Sequence, residues 1–177
     1  APVSGGGPAG GLLNPADGEL HPARALAAVA ATLPTGVVYD GLEVLGVEPG
    51  TSGVRVRFAR GEVEAGRVVL ATNGYASRLV TALPVRAVRA QMLATAPLST
   101  ALTDRPVYSD FGYRYWRQLD DGQLLLGGFR NTAFDDEVGD DDAPTEELQA
   151  RLDGHLRALG VTAPVTHRWA GTMGFTP

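Results

Sequence analysis

The sequence predicts an α+β fold with an α/β portion, and three patterns support this class. The apolar run over residues 67–70 has no polar alternation and stops in a Thr-Asn-Gly turn, which is typical of a strand buried on both faces. Residues 54–58 alternate apolar and charged side chains, as antiparallel strands with one solvent-exposed face do. Residues 24–33 and 145–159 carry apolar side chains at helical spacing. Helices, a strand buried on both faces and antiparallel strands with one exposed face together define the α+β class with an α/β portion.

The first third of the chain is predicted to hold a helix-to-strand unit and then a small antiparallel meander. A proline stands at the first helical position, and Leu26, Val29 and Leu33 share one face of the helix that follows. Residues 37–39 then read as a short strand. The change to a two-residue period predicts the meander over residues 42–65.

The second half is predicted to hold an antiparallel sheet covered by helices. Residues 85–94 read as a strand, and residues 107–129 as a strand-rich segment that turns at an Asp-Asp-Gly sequence. Tyr113 and Tyr115 are two positions apart and share a face, whereas Trp116 faces the other way. These aromatic side chains either face a ligand or pack a sheet core, and the pattern alone leaves both interpretations open.

Composition excludes several classes of function. The 177 residues include no cysteine, which excludes disulfides, thiolate metal sites and a cysteine nucleophile within them. Every basic side chain apart from histidine is arginine, so neither a P-loop lysine nor a Schiff-base lysine is present. A net charge of -5 argues against nucleic acid as a partner. No membrane-spanning or signal-peptide pattern occurs, and we therefore predict a cytoplasmic protein.

Metal and hydrolase motifs are also missing from the sequence. The acidic segment 135–142 lacks the ligand order of a calcium-binding EF-hand, so it is predicted to be a solvated loop. The three histidines lie far apart without ligand-spaced carboxylates, and no metal site is predicted. No Gly-x-Ser-x-Gly sequence occurs, and no Gly-x-Gly-x-x-Gly follows a strand. A hydrolase and a self-contained nucleotide-binding domain therefore lack their usual signals.

Four segments, taken in order and with their spacing, resemble one family. They are Gly-Glu-Leu-His-Pro-Ala-Arg-Ala-Leu at 18–26, Val-Val-Leu-Ala-Thr-Asn-Gly-Tyr at 68–75, Tyr-Arg-Tyr-Trp-Arg-Gln at 113–118 with the strand that ends at 130, and Arg-Trp-Ala-Gly-Thr-Met-Gly-Phe-Thr-Pro at 168–177. The family is that of the FAD-dependent amine and amino-acid oxidoreductases similar to D-amino-acid, glycine and sarcosine oxidases. The amino-acid sequences of the last two segments resemble those of one branch of this family, the gamma-glutamylputrescine oxidases.

The resemblance implies a domain organisation. Residues 1–11 would be a loose linker, and residues 12–83 part of an FAD-binding domain with a mixed sheet and the small meander. Residues 84–165 would form an antiparallel-sheet substrate domain with flanking helices, and residues 166–177 a strand that returns to the FAD-binding domain. The family's amino-terminal dinucleotide-binding motif and carboxyl-terminal flavin helix are absent from these residues, so we expect an internal fragment that is inactive alone and lacks FAD.

The resemblance also implies the chemistry and the residues that perform it. The family transfers hydride from a carbon next to an amine to FAD, and the resulting imine is hydrolysed. Tyr113 and Tyr115 are the expected catalytic, substrate-facing residues, and Arg117, Arg130 and Arg168 are candidates to bind a substrate carboxylate or, alternatively, to form structural ion pairs. The residues that match the family's cofactor contacts are Val44, Ala71, Thr72, Asn73, Gly74, Gly171, Thr172, Met173 and Gly174.

Two other interpretations stay open at this stage. The chain could be a stand-alone α+β module that binds a small ligand or a protein without catalysis, or its aromatic and arginine side chains could serve packing alone. The partner expected under the oxidoreductase interpretation is a small amine or amino acid, with no nucleic acid and no membrane. Apolar surface left exposed on such a fragment would allow a homodimer.

Overall fold

The computed structural model describes residues 10–177 and contains two antiparallel sheets. The first is a meander of three strands in the order β1-β2-β3: Val44–Pro49, Val54–Phe58 and Gly61–Ala65. The β2 side chains Arg55 and Arg57 form ion pairs with carboxylates of the flanking strands, at 3.2 Å to Glu64 and 2.6 Å to Glu48. The meander predicted over residues 42–65 is confirmed.

The second sheet has five strands in the order β5-β6-β7-β4-β8. Their bounds are Arg86–Thr95 for β4, Val107–Ser109 for β5, Arg114–Gln118 for β6, Leu124–Gly128 for β7 and Val165–Phe175 for β8. The β6–β7 hairpin turns at the predicted Asp-Asp-Gly. Strand β8 pairs with β4 along its length, so the segment predicted to return to the FAD-binding domain lies in the same sheet as residues 86–95.

One face of this sheet is covered by the helix α3, Glu146–Ala158. Leu93, Leu124 and Leu126 of the sheet are fully buried against Leu152 of the helix. The helix ends before Gly160, whose φ of +76° suits a residue without a β-carbon. Burial of this apolar face is the main stabilising contribution to this part of the chain.

The apolar run at residues 67–70 is not a strand, and this prediction is wrong. Val69 is 88% exposed, and no strand of the described residues lies beside the run. A strand buried on both faces needs hydrogen-bonding neighbours and cover on each side, and residues 10–177 provide neither. The mixed sheet predicted here is absent from the described residues for the same reason, as is the short strand predicted at 37–39.

The helices predicted in the first half of the chain are present, but they differ in length or burial. The helix α1 spans Pro22–Ala30, although its predicted apolar face is uncovered, with Leu26 71% exposed. The helix predicted before Pro84 is reduced to a 3₁₀ turn, Asn73–Tyr75, and the single turn α2, Ala76–Leu79. The α+β class is confirmed. Residues 1–9 of the predicted linker lie outside the described residues, and the division into domains stays a prediction.

Candidate functional site

A cavity of about 500 Å³ lies on the face of the five-stranded sheet opposite α3. Its lining is Ala90, Tyr108, Phe111, Gly112, Tyr113, Tyr115, Gly128, Arg130, Met173 and Phe175. Tyr113, Tyr115, Arg130 and Met173, which the sequence placed in three separate stretches, therefore meet in one place. The cavity is largely aromatic and apolar, with one charged side chain, which is the usual make-up of a small-molecule site.

Strand alternation explains why Tyr115 faces this cavity. Trp116 packs against the core under α3, so Tyr115 on the same strand points to the other face. Across the sheet, Tyr115 is paired with Gly127. A β-carbon on Gly127 would overlap the Tyr115 ring and lie 2.9 Å from Cγ of Met92, so the phenol ring occupies space that only glycine leaves open. The predicted facing of Tyr115 and Trp116 is confirmed.

The hydroxyl of Tyr115 is held in its protonated form. Burial raises its pKa above the ordinary value, the neighbouring Tyr108 adds to the rise, and Arg130 opposes it. The two tyrosine rings lie 5.8 Å apart. Tyr115 therefore offers a neutral hydroxyl that can donate or accept a hydrogen bond inside an apolar wall.

Arg130 is held by aromatic rings rather than by a carboxylate. Its guanidinium carbon lies 5.0 Å from the ring centroid of Phe175, 5.2 Å from that of Phe134 and 5.8 Å from that of Tyr113. No ion pair to Arg130 exists among residues 10–177. Its donors are thus oriented by cation–π contacts and remain available to a planar anion.

The other two candidate arginines lie away from the cavity. Arg117 contacts Glu19 at 3.1 Å and the carbonyl of Leu20 at 3.0 Å. Arg168 lies on the α3 side of the sheet, where it binds both carboxylate oxygens of Asp153, at 2.8 and 3.0 Å. These contacts match the alternative interpretation as structural ion pairs, and a role for either residue in substrate binding stays a prediction.

A histidine on α3 lies directly behind the cavity wall. The ring of His155 packs edge-on against Trp116 and Phe129, with centroids 5.4 and 5.6 Å apart. Trp116 directly follows the cavity residue Tyr115 in the chain, and Phe129 directly precedes the cavity residue Arg130. Burial lowers the pKa of His155, with a smaller contribution from a nearby arginine, so the imidazole is neutral at pH 7.

The two predicted cofactor-side stretches, residues 71–74 and 171–174, lie against each other. The Asn73 side chain donates to the carbonyl of Thr172 at 3.4 Å and accepts from the backbone N–H of Gly174 at 2.8 Å. A β-carbon on Gly74 would lie 2.6 Å from the Thr172 methyl group, so this contact requires glycine. Val44 is half-buried at the start of β1.

Sequence reasoning missed two groups of residues, one at the cavity and one on the α3 side of the sheet. The first is the set of rings around Arg130, of which Phe134 lies outside any predicted strand. The second is Glu137, which is fully buried although its segment was predicted to be solvated. That prediction is wrong for Glu137, because Arg89 and Gln91 on β4 form hydrogen bonds with it under the sheet. Two polar residues on the inward face of an apolar strand were the available signal.

A cavity walled by aromatic rings lies on one face of the five-stranded sheet, and a glycine-containing turn packs on β8 of the same sheet. The family model described as FAD dependent oxidoreductase, DAO, matches residues 1–177, and the chain belongs to this family, whose members use FAD. The chain is 29% identical over 179 residues to the probable oxidoreductase OrdL of Rhizobium meliloti (strain 1021). The match covers 94% of this chain and 40% of OrdL, so the chain spans about two fifths of that relative.

Solved structures agree with the fold. Glycine oxidase from Geobacillus kaustophilus matches with a TM-score of 0.63 and 19% identity, over 78% of this chain and 37% of the oxidase. L-Proline dehydrogenase from P. horikoshii matches with a TM-score of 0.59 and 22% identity, over 77% of this chain and 38% of the dehydrogenase. At these identities the similarity shows the fold of the chain.

The residues present fit the ring end of a flavin. Gly171 has no atom within 4 Å of the position that a β-carbon would take, so a flat ring can approach the backbone there. The hydroxyl of Thr72, in the opposing turn, is buried without a hydrogen-bond partner among the described residues. The chain contains no Gly-x-Gly-x-x-Gly after a strand and so lacks the usual donors to a pyrophosphate.

No described helix is both long enough and apolar enough to cross a bilayer. Residues 10–177 also contain no group of three or more histidine, cysteine, aspartate or glutamate side chains that could hold a metal ion.

Proposed function

We propose that this chain forms the substrate-facing wall, and one side of the flavin site, of an FAD-dependent oxidoreductase that oxidises the C–N bond of an amine or amino acid. The observation that carries the proposal is the cavity in which Tyr113, Tyr115 and Arg130 adjoin the strand segment 171–174. FAD, when bound, supplies the hydride acceptor for this chemistry. The protein side chains bind the substrate, orient it and keep water out.

Each cavity residue has a defined task in this proposal. Arg130 binds the carboxylate of an amino-acid substrate through its oriented donors, because no carboxylate of the described residues competes for it. Tyr115 contributes a neutral hydroxyl that hydrogen-bonds the substrate, and Tyr113 forms the adjoining wall. The apolar lining places the amine carbon in a water-poor site, where orientation has the largest effect on rate.

The flavin would be held by the apposed stretches 71–74 and 171–174, with Val44 on the adenine side as the family resemblance implies. Backbone donors to the pyrophosphate would come from residues outside this sequence. We therefore propose that these 177 residues act within a longer polypeptide and that alone they are inactive and bind FAD weakly. Cytoplasmic location and homodimer formation stay predictions of the sequence.

The experiment that tests this function uses the full-length gene product. Its visible spectrum should show bound flavin, and anaerobic addition of an amine or amino-acid substrate should bleach the flavin absorbance. A full-length protein without flavin, or with flavin that no amine or amino acid reduces, would refute the proposal. The first of these results would favour the binding-module interpretation.

A comparison of arginine variants tests which guanidinium binds the substrate. Arg130→Ala should raise KM for an amino acid by about tenfold to a hundredfold, the value of one or two charge-assisted hydrogen bonds, with a smaller change in kcat. Arg117→Ala and Arg168→Ala test the two remaining candidates under the same conditions. Arg105→Ala is the matched control, because Arg105 is exposed and, among residues 10–177, forms an ion pair with its neighbour Asp104 alone.

A further inference from the structure

The acidic segment 135–142, here named the acidic strap, extends the five-stranded sheet beyond the end of β7. Its backbone runs beside β4: the N–H of Arg89 donates to the carbonyl of Glu137 at 2.7 Å, and the N–H of Gly139 donates to the carbonyl of Ala87 at 3.0 Å. Val88 and Val138 form an antiparallel bridge between these bonds. The strap therefore has a fixed register on β4.

A buried ion pair anchors the strap in this register. Both carboxylate oxygens of Glu137 accept hydrogen bonds from Arg89, each at 3.0 Å, and one also accepts from Gln91 at 2.9 Å. Glu137 is fully buried and Arg89 nearly so. Arg89 also donates to the carbonyl of Ala143 at 3.1 Å, which ties the far end of the strap to the same strand.

The far end of the strap reaches both cofactor-side stretches through one carboxylate oxygen. Oδ1 of Asp142 accepts a hydrogen bond from the Tyr75 hydroxyl at 3.0 Å and another from the Thr172 hydroxyl at 3.2 Å. Tyr75 follows the turn 71–74, and Thr172 lies within 171–174. A second contact, between Asp140 and Arg78, holds the strap to α2, and that arginine keeps the pKa of the Asp140 carboxyl below its ordinary value.

We propose that Asp142 is a positioning residue for the flavin site: it holds the turn 71–74 at a fixed separation from 171–174. This inference rests on the proposed function. Without Asp142, the two stretches remain joined by the exposed side chain of Asn73 and by the packing of Gly74 on Thr172, with no charged acceptor between them. The flavin would then have to order this edge when it binds, and that ordering lowers affinity.

The test measures flavin binding to the apoprotein of the full-length gene product. Asp142→Ala removes the shared acceptor and should raise the flavin dissociation constant by about tenfold, the value of one to two hydrogen bonds to a charged group at an exposed position. Asp142→Asn keeps the acceptor oxygen and should retain most of the affinity. Asp135→Ala is the matched control, because Asp135 lies on the same strap, is exposed and makes no side-chain hydrogen bond among the described residues.

A double-variant comparison separates positioning from general stability. In a Tyr75→Phe background the effect of Asp142→Ala should shrink, because one of the two bonds is already lost. The thermal midpoint of the apoprotein should fall slightly in Asp142→Ala, which loses two exposed hydrogen bonds, and stay unchanged in Asp135→Ala. The flavin absorbance band should broaden or shift in Asp142→Ala alone.

The outcomes distinguish this inference from the proposed function. A full-length parent that binds no flavin overturns both. A parent that binds flavin, together with an Asp142→Ala variant that binds it equally tightly, overturns this inference only. A loss of flavin affinity that is matched by an equal loss of apoprotein stability also overturns it, since Asp142 would then serve the fold rather than the site.

Discussion

Replacing Glu137 with alanine should destabilise the protein more than any other single change in the acidic strap. The substitution removes three hydrogen bonds of 2.9 to 3.0 Å from a fully buried carboxylate. It leaves the Arg89 guanidinium buried on β4 with two backbone carbonyls as hydrogen-bond partners and the exposed Asp141 carboxylate 3.9 Å away. A buried charge that has lost its bidentate partner is the costly element of this change.

The expected magnitude follows from that geometry. Breaking a buried ion pair by removing one partner costs about 3–5 kcal/mol, and the two carbonyl contacts of Arg89 place this case near the lower end of that range. Glu137→Gln also removes the negative charge but keeps the shape and one acceptor oxygen, so it should cost less than Glu137→Ala by the value of the hydrogen bonds that this oxygen retains. Glu147→Ala is the control: Glu147 is exposed in an i,i+4 pair with Arg151 on α3 and should cost about 0.5 kcal/mol or less.

Urea unfolding of the purified protein, followed by fluorescence of the two tryptophans, would measure these differences from the midpoints at constant slope. Trp116 and Trp169 lie in the sheet that the strap extends. A cost for Glu137→Ala within 0.5 kcal/mol of that for Glu147→Ala would refute the reasoning, because the buried pair would then contribute no more than an exposed one.

Three further predictions concern the cavity and the wall behind it. Tyr115→Phe should lower kcat/KM about tenfold by removing one hydrogen bond. Because burial raises the Tyr115 pKa, the ratio of variant to parent kcat/KM should stay constant from pH 7 to pH 9. A ratio that changes within this range would contradict a neutral hydroxyl. Burial between Trp116 and Phe129 lowers the pKa of His155, so its contribution to stability should be present above its ordinary pKa of about 6.5 and be lost as pH falls through the lower folded value. His155→Gln should therefore reduce the loss of unfolding free energy with falling pH in urea unfolding. An unchanged pH dependence would argue against this role. Gly127→Ala should destabilise the protein by about 1–3 kcal/mol and displace the Tyr115 ring. Near-parental stability in urea unfolding would contradict the close approach of this ring to the Gly127 backbone.

Local patterns were sufficient to predict the elements that are complete within the chain. The meander needs only its own three strands, and its two-residue period predicted it. The helix α3 covers a face formed by Leu93 and Leu124, so its apolar stripe predicted both the helix and its orientation. The same pattern rules failed at residues 67–70, because the neighbours that such a run requires are missing from residues 10–177.

The candidate site could be predicted only in part. Strand alternation was sufficient to predict that Tyr115 and Trp116 face opposite sides of the sheet, whereas Tyr113 precedes β6 and reaches the cavity from a turn. Arg130 could not be separated from Arg117 and Arg168 in the sequence, since the distinction lies in ion pairs with residues distant in the chain: Glu19 for Arg117 and Asp153 for Arg168. The burial of Glu137 depended on long-range contacts of the same kind.

The pairing of β4 with β8 also determines when the site can form during synthesis. The two strands are separated by about 70 residues of chain, and the contacts of Asn73 with Thr172 and Gly174 close loops of 99 and 101 residues. Loops of that length close late, after the local β6–β7 hairpin and α3 have formed. Until the ribosome has released β8, β4 has one unpaired side and the cavity lacks Met173 and Phe175. The emergence of β8 therefore covers an aggregation-prone edge and completes the cavity in a single event.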